Sequence, residues 1–212
     1  MLRNLDLKIG YDSESDDIIQ DFFIPCIQNC TMLSKSTNSF SLETLTSIIG
    51  ARGGAPIDFT MNIVVGRTFR VKDSEMVSNV LLSQGQTRNQ TSKELYHVEK
   101  MLRNQQIIIR IATPHEDEDS DNTLEEMGFF EDNSGNVVLY DGIISKSFLK
   151  RRKKFESVNV FTSWEDEKRL QRKKSYFQDL WENNVRRFDV YDFADASENG
   201  LIKYSFGWAI DG

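Results

Sequence analysis

The sequence predicts a single α/β domain built on a mixed β-sheet flanked by helices. Three observations carry this. Two near-continuous β-branched runs, FTMNIVVG (59–66) and QIIIRIAT (106–113), have the composition of strands buried on both faces. The stretch between them, from Ser74 to Asn104, is polar and helix-rich, and two buried strands separated by helices suggest a mixed α/β sheet. Finally, MGFFED and NVVLYD, joined through Asn133, Ser134 and Gly135, have the form of a hairpin. At 212 residues with 39% apolar and 11% aromatic content, the chain has the length of one domain with some decoration and can bury a proper core.

The elements follow in order. DDIIQDFFIPCIQNC (16–30) places Ile18, Ile19, Phe22, Phe23, Cys26 and Ile27 at helical spacing behind Asp16 and Asp17, with Pro25 kinking the helix or ending its first part. Residues 32–40 read as a strand. SLETLTSII (41–49) opens with Ser-x-x-Thr and stops at Gly50, Gly53 and Gly54. After the second buried strand and Pro114, HEDEDSDNTLEE is too acidic to be core and reads as an exposed loop. The hairpin follows, then the basic run KSFLKRRKKFE, a strand SVNVFTSW and an amphipathic helix. Ser163 and Asp166 give that helix a capping-box start, and Leu170, Phe177, Leu180 and Trp181 line one face. FDVYDF (188–193) reads as a closing strand. Residues 1–193 form the expected domain, with 194–212 a tail or extra strand; no internal repeat is visible.

Charge is unevenly spread. Net charge is −7, yet residues 146–187 carry 13 Lys/Arg against 6 Asp/Glu, leaving 13 against 27 elsewhere: a basic face is expected on an acidic body. No run approaches 18 apolar residues and the N-terminus, MLRNLDLKIGYDSESDD, is polar and acidic early, which argues against a spanning helix or secretory signal and for a cytoplasmic protein without membrane partners. Cys26 and Cys30 share a helix face and read as packed hydrophobes. Without a second Cys/His pair they make no zinc site, and no cofactor or metal is expected.

With the elements placed, GFFEDNSGNVVLYDG, FESVNVFTSW and FQDLWENN, together with DDIIQDFFIPCIQNC, SFSLETLTSII, MNIVVG and IIIRIAT, resemble the phospholipase D-like (HKD superfamily) nuclease domains that accompany superfamily 2 helicases in bacterial restriction and phage-defence systems. The likeness spans roughly residues 10–193 and rests on the order of many weak segments. It implies a phospholipase D-like single domain that cleaves phosphodiesters without metal: one histidine forms a covalent phosphohistidine, a second protonates the leaving oxygen, and lysine and asparagine hold the phosphate oxygens. Two copies, each with one His-x-Lys, pair to complete a site. In the register set by Gly128 and Phe130, Leu124 falls at the histidine and Glu126 at the lysine. Leucine has no lone pair, and a carboxylate repels phosphate. The Gly-Ser-x-Asn positions fall on Gly142, Ile143, Ile144 and Ser145; only Glu156, in FESVNVF, keeps the family's acidic residue, and the resemblance makes it a candidate catalytic residue.

His115, nine residues before Leu124, is a candidate displaced nucleophile, although an ordinary loop histidine is the plainer reading. His97 reads as a surface or packing residue. Glu116, Asp117, Glu118, Asp119 and Asp121 lack the regular spacing of a calcium loop and read as a solvated run. Lys146, Lys150, Arg151, Arg152, Lys153, Lys154 and Lys173 are candidate phosphate contacts for DNA or RNA, joined by Lys168, Arg169, Arg172 and Lys174; the plain alternative is a solvated face. The favoured reading is a catalytically degenerate nuclease-fold protein that binds nucleic acid or serves as a structural subunit of a defence complex, as a homodimer or with a helicase or another subunit. The alternatives are an active nuclease with a rebuilt or partner-completed site, and an acidic inhibitor or decoy.

Overall fold

The computed structural model describes residues 1–54, 58–82, 93–115, 123–142 and 155–205. Local chemistry sets the first elements. Asp17 accepts hydrogen bonds from the N–H groups of Ile19 and Gln20, starting a π-helical turn over Ile18–Phe23 that continues as α1 (Ile24–Asn29). Pro25 lies just after the junction in a chain that is helical on both sides, so its missing N–H omits one helical hydrogen bond where the turn changes from π to α. Ser41 caps α2 (Leu42–Arg52) through its Oγ, which accepts from the Thr44 N–H. Gly53, at φ +88°, closes the helix in a left-handed conformation that suits glycine.

The described strands are β1 (Gly10–Asp12), β2 (Met32–Thr37), β3 (Thr60–Gly66), β4 (Thr68–Arg70), β5 (Ile107–Pro114), β6 (Met127–Glu131), β7 (Val137–Gly142), β8 (Ser157–Thr162), β9 (Phe188–Asp192) and β10 (Lys203–Ser205). Eight of them form one mixed sheet in the order β1-β8-β7-β6-β2-β3-β5-β9. β2, β3 and β5 are parallel at its centre; β6, β7, β8 and β1 continue antiparallel on one side, and β9 closes the other. The fold is α/β with a large mixed sheet flanked by helices, as the two β-branched runs and the hairpin predict. β4 and β10 pair separately as a two-stranded parallel ribbon.

Both faces of the sheet are buried. On one, Cys26, Ile27, Leu45, Ile48, Val98 and Met101 from α1, α2 and α4 (Lys93–Arg103) pack against Leu33, Ile63, Phe130 and Tyr140; Val77 of α3 (Val71–Leu82) and Phe193 of α6 (Phe193–Glu198) join them. On the other, Leu170, Phe177 and Leu180 of α5 (Glu167–Trp181) pack against Val64, Met127, Phe129, Leu139 and Val190. Helix α5 does not start as predicted. It begins at Glu167 after Asp166, and Ser163 extends the β7–β8 ladder instead, its Oγ accepting from the Val137 N–H at 3.0 Å. Among the described residues, no helix is long and apolar enough to cross a membrane.

Candidate functional site

Parallel strands fix where to look. In an α/β sheet the loops beyond the carboxyl ends of the parallel strands are where ligands gather, and here that edge carries Asn38 after β2, His115 after β5, Leu124 and Glu126 before β6, Gly142 ending β7, and Glu156 before β8. Sequence positions far apart are thus brought to one rim. The candidates Ser145, Lys146, Lys150, Arg151, Arg152, Lys153 and Lys154 lie outside the described residues, as do Glu116 to Asp121.

Asn38 organises the middle of the rim. Its Oδ1 accepts from the Leu124 N–H at 2.7 Å and its Nδ2 donates to the Leu124 carbonyl at 2.7 Å, while Glu126 Oε1 accepts from the Asn38 N–H at 2.7 Å and from Nδ2 at 3.1 Å. Leu124 is only 3% exposed and packs in the α5-side core, whereas Glu126 approaches Lys35 and Tyr140 of the opposite face closely enough to bias their ionisation. Histidine and lysine two apart on a strand would share a face. These two residues do not, and neither supplies a nucleophile.

Lys35 sits on β2 in register with Gly128, and Gly128 in register with Tyr140. A Cβ on Gly128 would lie 2.4 Å from the Tyr140 ring, so the glycine exists to seat that ring across β6. The Tyr140 hydroxyl is buried without a hydrogen-bond partner, and burial pushes its pKa up. Lys35 has its pKa lowered by burial, with Glu126 opposing the shift. Asn38, Lys35 and Tyr140 give no signal in the sequence: Asn38 bonds residues 86 and 88 positions away, Lys35 and Tyr140 meet across β6, and each is an ordinary residue in its own segment.

His115 and Glu156 stand apart. His115 Nε2 lies 3.0 Å from Asp189 Oδ1 on β9, both side chains nearly half exposed. Three strand spacings, about 14 Å, separate β5 from β6, and five, about 24 Å, separate β5 from β8. One chain therefore does not bring His115, Glu126 and Glu156 together. The Glu156 backbone is tied to Ser13, its carbonyl accepting from the Ser13 N–H and its N–H donating to Ser13 Oγ, both at 2.9 Å.

Helix α5 sorts its cations. Lys173 is drawn inward to Glu125 and to Asp141, 2.9 Å from the latter, and Lys174 to Glu131 at 2.6 Å. Burial lowers Lys173 and raises Asp141, both toward their neutral forms and against the pairing that the short contact describes. Desolvation thus opposes the bridge, whose clear role is to fix the position of α5 against the β6–β7 hairpin. Lys168, Arg169 and Arg172 are exposed, with the Arg169 guanidinium 4.6 Å over the Phe161 ring; Arg186 and Arg187 are exposed beyond the helix.

Elsewhere, His97 lines a cleft of about 190 Å³ with Lys93, Glu94 and the glycine-rich end of α2. Cys26 and Cys30 are free and buried; burial raises both thiols, Cys30 to about 12. Among the described residues no group of His, Cys, Asp and Glu side chains is arranged to hold a metal ion.

No protein-family model matches the sequence, and no curated protein matches it. Among solved structures the chain is similar to TrmBL2, an archaeal chromatin protein whose structure shows a novel mode of DNA binding. The identity is 13% and the TM-score 0.42, over 83% of this chain and 53% of that one, so this chain spans about half the length of its structural neighbour.

Proposed function

We propose that this chain is a nucleic-acid-binding module of phospholipase D-like type, degenerate at its catalytic positions, that works as a subunit of a larger bacterial defence assembly. The observation that carries the binding part is the outer surface of α5. Lys168, Arg169 and Arg172 crowd its first two turns, whereas Asp179 lies near its other end and Glu182 follows it. Asp166 and Glu167 at the helix start already match the helix dipole, so the exposed cations that follow them present a positive surface to solvent, where an external anion can meet it. Phosphates of DNA or RNA fit an exposed arginine-rich stripe and need no base readout. Lys173, held by Glu125 and Asp141, positions α5 instead of facing solvent.

Degeneracy is supported by the rim: Leu124 is core, and Glu126 is engaged by Asn38. Assembly with a second copy or a helicase rests on the sequence resemblance; light scattering and pull-downs test it, a clean monomer without partner counting against it. The functional experiment incubates purified protein with labelled duplex and single-stranded DNA and RNA. Salt-sensitive binding without cleavage, in EDTA or magnesium, is expected; cleavage in EDTA contradicts degeneracy. The His115–Asp189 pair favours one second reading, a rebuilt site, and cleavage abolished by His115→Ala would establish it.

A further inference from the structure

We infer that the cationic surface of α5 continues onto the sheet as a platform for an unpaired strand of nucleic acid, whose bases stack at Arg169 and Phe161. This rests on the nucleic-acid reading above and adds which form of nucleic acid is bound. Helix cover ends on the α5 side of β8. Phe161 is in register with Leu139, which is fully buried in the α5-side core, yet Phe161 itself is only partly buried, and Asn159 and Ser157, the next residues on the same face, are exposed. The other face of the strand is closed, with Val158, Val160 and Thr162 buried. Beyond β8 lies the edge strand β1, where Gly10 pairs with Asn159. A Cβ on Gly10 would stand 3.9 Å from the Asn159 side-chain oxygen, so the glycine leaves that amide uncovered from the edge.

The open strip combines a stacking surface with charge. The Arg169 guanidinium lies 4.6 Å over the Phe161 ring on an exposed residue, so the ring holds it on one side while solvent meets the rest. Guanidinium planes and aromatic rings are the surfaces on which unpaired bases stack. Arg172, one turn further along α5, and Lys168 supply charge for the phosphates of the same strand. Asp141, in register with Asn159, would repel a phosphate, but its carboxylate is occupied by Lys173 at 2.9 Å. Asn159 and Ser157 add an amide and a hydroxyl that can donate to or accept from base edges. A duplex hides its base faces within its own stack, whereas an unpaired strand presents them. Lysine and arginine charge alone would serve either form; the ring and the guanidinium favour the unpaired one.

Fluorescence anisotropy with the whole chain tests this, using labelled DNA probes of equal length: a mixed-sequence single strand, an abasic single strand with the same phosphates, and a duplex. Wild type is expected to bind the ordinary single strand about fivefold or more tightly than the abasic one, the gain from stacking a single base. At raised salt, which weakens the phosphate contacts, it should also hold the single strand more tightly than the duplex. Phe161→Leu removes the ring and keeps an apolar side chain; Arg169→Lys keeps the charge and removes the guanidinium plane. Each should bring the ratio of ordinary to abasic affinity toward one, and Arg169→Lys, on the surface, decides if Phe161→Leu does not fold. Equal affinity of wild type for ordinary and abasic strands, or a ratio unchanged in both variants, overturns the platform and leaves the charge-based reading standing. No salt-sensitive binding to any probe overturns both.

Discussion

Asp132 shows how much one side chain holds together. Its carboxylate accepts from the N–H groups of Leu2, Ser134 and Asn136 and from the Asn136 amide, closing the β6–β7 turn and pinning the N-terminus beside it. Burial alone would raise its pKa; the hydrogen bonds outweigh it and hold the group below the ordinary carboxylate range. A depressed folded pKa means that the stabilisation is present above the unfolded value, near 3.9, and is lost as pH falls through the folded value. Asp132→Ala is expected to cost about 1–3 kcal/mol at neutral pH in urea unfolding, with the gap to wild type narrowing in strong acid. Gly128→Ala should cost about 1–3 kcal/mol by displacing the Tyr140 ring. The turn was legible because Asp-Asn-Ser-Gly has local turn chemistry. Asn38 was not, since its value lies in a clasp on Leu124 and Glu126 more than 80 residues away.

At the scale of elements, self-sufficient segments were legible and borrowed ones were not. β3 and β5 announce themselves by β-branched runs, and α2 by Ser41 and its glycines. β1 and β4, three residues each, exist only through pairing with β8 and β10, and α6 is a six-residue helix held by Phe193 and Ala196. The capping-box reading of α5 failed because Ser163 had a better partner in the Val137 N–H across the ladder. Helix α5 is the described helix that covers the second face, so its apolar stripe decides whether that face stays dry. Phe177→Ala, emptying a position against Phe129, should cost about 3–5 kcal/mol in denaturant unfolding followed by circular dichroism. Lys173→Met should cost less, since the lysine's desolvation is relieved, while leaving Glu125 and Asp141 without their shared cation.

Across the whole molecule charge is placed unevenly: an acidic chain carries exposed Lys168, Arg169 and Arg172 together on the outer side of α5. The rim at the carboxyl ends of the parallel strands was foreseeable from the α/β pattern, but the sequence could not show that His115 and Glu156 end five strand spacings apart. The most direct measurement is the salt dependence of DNA binding, by fluorescence anisotropy, for wild type and for the reversal Lys168→Glu, Arg169→Glu, Arg172→Glu. With about 0.9 in log–log slope for each phosphate neutralised on duplex DNA, the account predicts that wild-type binding weakens steeply with salt and that the triple variant, still folded by circular dichroism, binds far more weakly with a slope flatter by about 2–3. Equal affinity and slope in the two proteins, or no salt-sensitive binding by wild type, would contradict it.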